Sequence, residues 1–129
     1  MSARVDYDFA LLRVVPRVHT GAFANVGVVL HARTAEFLSL RTVTDRAELT
    51  RLAPGIDPEL LSRYLDSCAA ICAGDERAGA VALAPPSERF HWLTAPRSDV
   101  LQCSPVHEGV CNDPSLEIDK LFRAYVLEG

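Results

Sequence analysis

Lysine is nearly missing from this chain. Of its thirteen basic residues only Lys120 is lysine, and the others are arginine. Against seventeen acidic residues they leave a net charge of −4, which excludes a general nucleic-acid binder, since that would need surplus cations to displace counterions from phosphates. No apolar run is long enough to span a bilayer. The opening stretch MSARVDYDF lacks a basic segment followed by an apolar one, so neither a secretory leader nor a membrane anchor is expected and the expected location is the cytoplasm. The four cysteines contain no CxxC pair and are expected to be free thiols in a reducing compartment. No glycines carry phosphate-loop or dinucleotide-fold spacing, and there is no G-x-S-x-G elbow, so the familiar nucleotide-binding and hydrolase signatures are excluded.

The 129 residues, 49% of them apolar and 23% charged, suit a single soluble domain spanning 1–129. By surface scaling, roughly two-thirds of the unfolded chain's surface would be buried on folding, enough for a core without staples. One reading of the arginine bias is codon usage in a GC-rich genome. The alternative, functional reading is that some guanidinium forks clamp carboxylate or phosphate groups.

Residues 7–17, 22–32 and 36–43 read as three strands joined by short connections, an antiparallel meander. Period two groups Ala10, Leu12 and Val14 with Val26, Val28, Leu30, Leu38 and Leu40 on the core side. The other face collects Tyr7, Phe9, Leu11, Arg13, Phe23, Asn25, Val29, His31, Phe37 and Arg41, an aromatic and basic mixture rather than a solvated surface. Residues 45–53 read as a short helix with Asp45 and Glu48 in capping-box spacing. Residues 57–74 are the clearest helix: Asp57 caps it, Pro58 opens it, Gly74 ends it, and Leu61, Tyr64, Leu65, Cys68 and Cys72 form its stripe. One or two helical turns over 85–93, a later strand over 98–106 and a second Asp-Pro helix over 113–128 complete the chain. The expected class is α+β: a small antiparallel sheet, made of the N-terminal three-stranded meander plus a later strand, with helices packed mainly on one face.

Chemistry concentrates in RFHWLTAPRSDVLQCSPVHEG, residues 89–109. Cys103, His107 and Cys111 are evenly spaced, but Pro105 and Gly109 break any helix that would align them as metal ligands, so no metal is expected. A thiolate–imidazole pair built on His107 lacks a surrounding hydrolase motif. Arg89, Arg97, Ser98, Gln102 and His107, with Arg13, Arg17 and Asn25 from the first hairpin, suit recognition of a carboxylate or phosphate. The structural alternative is that they tie down loops, with Asn25 holding a turn or bulge. Trp92, the lone tryptophan, is expected in the core, with an interface anchor as its alternative role.

The strand motif Tyr7, Arg13, Pro16, then Phe23, Asn25, Val26, Gly27, then Arg89, Phe90, Trp92, Pro96, Arg97, Ser98, Gln102, Pro105, His107 and Gly109 resembles the bacterial family called domain of unknown function 3037, over residues 6–126. The resemblance implies a small cytoplasmic protein. It groups Arg13, Asn25, Arg97, Gln102 and His107 as one candidate site without assigning catalytic roles, and it does not require cysteine at position 103. Some members are encoded beside HipA-like kinase-fold proteins, which implies an accessory role. The leading expectation is therefore a non-catalytic accessory module binding a protein partner, such as a HipA-like kinase-fold protein or a second copy of itself, without a cofactor. The alternative is an enzyme or regulatory domain that takes a phosphorylated or carboxylated small molecule, with His107 as its acid or base.

Overall fold

A computed structural model describes residues 4–17, 22–95 and 101–128. The strands are β1 (Val5–Arg17), β2 (Ala22–Ala32), β3 (Phe37–Thr42), β4 (Leu101–Cys103) and β5 (His107–Cys111). The α-helices are α1 (Arg46–Leu52), α2 (Pro58–Cys72), α3 (Pro86–Thr94) and α4 (Pro114–Phe122), the last running on as a π-helical turn over Arg123–Leu127. The class is α+β, as expected: one antiparallel sheet ordered β3-β2-β1, with both β4 and β5 on the far edge of β1.

Helix starts follow the sequence signals closely. The Asp45, Asp57 and Asp113 carboxylates each accept from the backbone N–H two residues on, at 2.9–3.0 Å, satisfying donors the first turn leaves free. Glu48 does not close a capping box; it pairs with Arg51 one turn later. Gly74 stops α2 at φ +73°, where a side chain would be strained. On α2, Leu61, Leu65, Cys68, Ile71 and Cys72 are buried, while Tyr64 is exposed.

The later strand, read over 98–106, is two strands, β4 and β5, parted at Ser104–Val106 and reaching on to Cys111; residues 98–100 lie outside the described residues. Leu12 pairs with Cys103 and Phe9 with His107, so the edge strand spends one residue more than β1 over this interval. The extra residue sits at Ser104–Val106. Ser104 N donates to Leu11 O, and its Oγ accepts from Leu11 N, both at 2.8 Å, while Pro105 needs no ladder donor. Pro105 therefore marks a bulge rather than an end.

A second bulge lies at Val26, where the β1–β2 register shifts between Leu12↔Gly27 and Arg13↔Asn25. The pairing corrects the face assignment of β2. Leu30 lies opposite Phe9 and Val28 opposite Leu11, so Val28 and Leu30 share the face of Phe9 and Leu11. Val29 and His31 share the face of Ala10, Leu38 and Leu40. Alternation could not decide this because residues 26–32 are all buried, as in a central strand covered on both sides.

The covering layers explain why. Helices α2 and α3 lie on the Ala10 face, with α1 against α2, and the Phe90 ring of α3 meets His31 at 5.4 Å. Helix α4 lies on the opposite, Phe9 face. Tyr7 donates its hydroxyl to Glu117 at 2.6 Å, and Arg41 is ion-paired to Asp119 and stacked over Phe122. The aromatic and basic face is thus mostly occupied by the protein's own last helix, which buries Ile118, Leu121, Phe122 and Val126 there. Each such side chain contributes about 1.5–3 kcal/mol when fully buried.

Candidate functional site

Three of the expected site residues form one row across the sheet. Arg13 on β1 pairs with Asn25 on β2 and with Gln102 on β4. Directly paired residues of an antiparallel ladder share a face, so Gln102, Arg13 and Asn25 stand side by side on the face covered further along by α4. The bulge at Val26 is what brings Asn25, rather than Val26, opposite Arg13.

Each member is held differently. The Arg13 guanidinium carbon lies 4.1 Å from the centre of the Phe23 ring, a cation–π stack. Asn25 donates from Nδ2 to the Tyr125 carbonyl at 3.1 Å, tying β2 to the π-helical turn. Such a turn frees backbone groups and recurs near functional sites. Arg13 Nε and Asn25 Oδ1 are buried without a hydrogen-bond partner. Arg41, Arg46, Arg51 and Arg77 all have carboxylate partners, whereas Arg13 has none among the described residues. Phe23 and Tyr125, the aromatics beside the row, are 51% and 43% exposed.

His107 does not join this row. It pairs with Phe9, their rings 5.4 Å apart, and Tyr125 lies 6.0 Å beyond Phe9. Arg13 lies four residue steps along β1 from Phe9, roughly 13 Å at strand rise, with the Leu11–Ser104 row between them. Arg17 pairs with Ala22 at the end of β1. Arg97 and Ser98 lie outside the described residues.

The two remaining candidates sit elsewhere. Arg89 on α3 donates from Nη1 to Ala84 O at 2.7 Å and its guanidinium flanks Gly74, so it braces the junction of α2 and α3. Trp92, expected in the core, lies on the outer side of α3 and is 37% exposed; Phe90 and Leu93 fill the core from that helix instead.

The bulge at Ser104–Val106 also decides the cysteine question. It reverses the facing of the edge strand, so Cys103 shares a face with Leu12 while His107 shares one with Phe9. Among the described residues no three His, Cys, Asp or Glu side chains are placed to hold a metal ion. Burial pushes the Cys72 thiol up to about 11, away from thiolate chemistry.

Tyr7 and Gly109 are a feature that residue chemistry alone did not bring forward. A Cβ at Gly109 would lie 2.4 Å from the Tyr7 ring. The ring therefore lies flat over the glycine and delivers its hydroxyl to Glu117. Burial, then the hydrogen bond and charge of Glu117, hold the Tyr7 phenol well above its ordinary range.

A family model described as "Protein of unknown function (DUF3037)" matches residues 9–126. The chain belongs to the DUF3037 family. The match covers β1 from Phe9 on, β2, the bulged edge strand and α4, and so every described candidate residue of this DUF3037 protein. No curated protein and no solved structure matches the chain significantly. Among the described residues no helix is long and apolar enough to cross a membrane.

Proposed function

We propose that this DUF3037 protein is a non-catalytic accessory module that grips an anionic group, a carboxylate or phosphate, on a protein partner through the Gln102–Arg13–Asn25 row. The observation that carries this reading is Arg13 itself: a half-buried guanidinium stacked on an exposed aromatic, lacking a carboxylate partner among the described residues. Leaving a buried donor unmade costs about 1–3 kcal/mol, a cost that an incoming anion offsets with charge-assisted hydrogen bonds. Arginine and exposed aromatics together are also the composition of interface hot spots. His107 is too far along the strand to act on a group held by Arg13, which favours binding over acid–base catalysis. The Phe37–Arg41 surface is a poor docking candidate, because α4 already engages Arg41.

The first partner to test is a HipA-like kinase-fold protein, measured by biolayer interferometry against the full chain. Arg13→Gln and Phe23→Ala are expected to weaken the complex at least tenfold, while Arg63→Gln on exposed α2 leaves it within twofold. Unchanged affinity in Arg13→Gln overturns the reading.

A further inference from the structure

The polar row beside Phe23 has a direction. Asn25 donates from Nδ2 to the Tyr125 carbonyl at 3.1 Å, which fixes the way its carboxamide points. Turning it over would set Oδ1 against that carbonyl, oxygen to oxygen, so Oδ1 stays on the other side. There it is buried without a hydrogen-bond partner, and so is Nε of Arg13, its direct cross-strand neighbour. One orphan is an acceptor and the other a donor, yet the two do not bond each other. Buried polar atoms are rarely left so, and two of opposite kind on paired residues point to one ligand that serves both.

An anion alone does not do this. A sulfate, a phosphate dianion or an isolated carboxylate carries acceptors only. It satisfies Arg13 and turns its own oxygens toward Asn25 Oδ1, a contact that repels. The ligand must present an anion to Arg13 and, within a few bonds, an N–H to Asn25, since paired side chains of a ladder start roughly 5 Å apart at Cβ. The last residue of a polypeptide has this arrangement, because one Cα carries both its carboxylate and its amide N–H. Phe23 and Tyr125, both partly exposed beside the row, offer aromatic surface to an apolar terminal side chain.

We propose that the Gln102–Arg13–Asn25 row captures the C-terminal residue of a partner chain, with the carboxylate on Arg13 and Gln102 and the amide N–H on Asn25 Oδ1. This rests on the anion-binding reading above and narrows it from any carboxylate or phosphate to a chain end. Holding a terminal carboxylate is a recurrent mode of peptide recognition. In the free protein the Phe23 ring lies over the Arg13 guanidinium. Half exposed, it turns outward as the chain end enters and packs on the terminal side chain.

The test is NMR titration of the full chain with four peptides. The first is an N-acetylated tripeptide ending in leucine with a free carboxylate. The second is its C-terminal amide, and the third has an ester oxygen in place of the last amide N–H. The fourth is an acetylated, amidated peptide carrying phosphoserine. The free acid is expected to bind saturably, with amide shifts at Arg13, Asn25 and Gln102. The amide and the ester should each bind about tenfold more weakly or worse, one losing the charge-assisted bond to Arg13 and the other the bond to Asn25. Both changes are made in the ligand and read on the unaltered protein, so lost binding cannot be ascribed to unfolding. An ester that binds as tightly as the free acid overturns the chain end and leaves the anion grip standing. So does a phosphoserine peptide that binds more tightly than the free acid and loses its affinity in Arg13→Gln. If no probe binds, or the free acid binds Arg13→Gln as tightly as the parent protein, the chain end and the anion reading fall together.

Discussion

At the scale of single residues, the tightest constraint falls on a position with no side chain. Gly109 is required because the Tyr7 ring occupies the space where a Cβ would stand, 2.4 Å away. Gly109→Ala is expected to destabilise the fold by ~1–3 kcal/mol, the usual cost of overpacking. In a Tyr7→Ala background the same change should cost much less, because the obstructing ring is gone; a double-mutant cycle by urea denaturation measures the coupling. Equal costs in both backgrounds would show that the ring moves aside freely. Nothing in the run HEGVC marks this contact, since it depends on a residue more than a hundred positions away. The reverse holds for Asp45, Asp57 and Asp113, whose capping roles were legible because cap and helix are neighbours in sequence. Trp92 and Arg89 show the same limit as Gly109: residue type suggested core for one and a binding site for the other, and tertiary position reversed the first and gave the second a bracing contact.

At the scale of elements, the helices and the first three strands were legible from periodicity and punctuation, while the two bulges were legible only in part. Asn25 before Val26 suggested a bulge, and the pairing places one there. Pro105 read as a strand end because proline lacks a ladder donor, yet Ser104 supplies both ladder bonds beside it and the strand resumes at His107. Helix α4 was legible as an amphipathic helix, but not the face it would cover. Ending the chain after Asn112 removes that cover from Phe9, Leu11, Val28 and Leu30, which are buried in the whole protein. The truncated chain is expected to bind a hydrophobic dye strongly and to elute as oligomers or aggregate in size-exclusion chromatography. A monomer that unfolds cooperatively would mean that α4 is an appendage rather than a layer of the core.

At the scale of the whole molecule, stability rests on one core sandwiched between α4 and the α2–α3 layer, without covalent or metal staples among the described residues. Cys68, Cys72, Cys103 and Cys111 are not joined in disulfides, and Cys103 and His107 face opposite sides of the sheet. Excess EDTA or dithiothreitol is therefore expected to leave the melting temperature within about 1 °C of its starting value, read by differential scanning calorimetry. A chain of this length buries enough surface to hold without them. A drop of several degrees with chelator would require a metal site that this geometry does not supply.

What the sequence determined by itself is local: the α+β class, the helix caps, the three-stranded meander and the absence of familiar catalytic loops. Each depends on residues within a few positions of one another, where spacing and residue type carry the physics. What only the tertiary structure decided is register and cover. A one-residue bulge exchanges the two faces of a strand, and β2 is apolar on both, so no local signal says which side chains meet. Pairing alone places Asn25 and Gln102 beside Arg13, leaves His107 apart, and lines Asp8 up between Glu108 and His31.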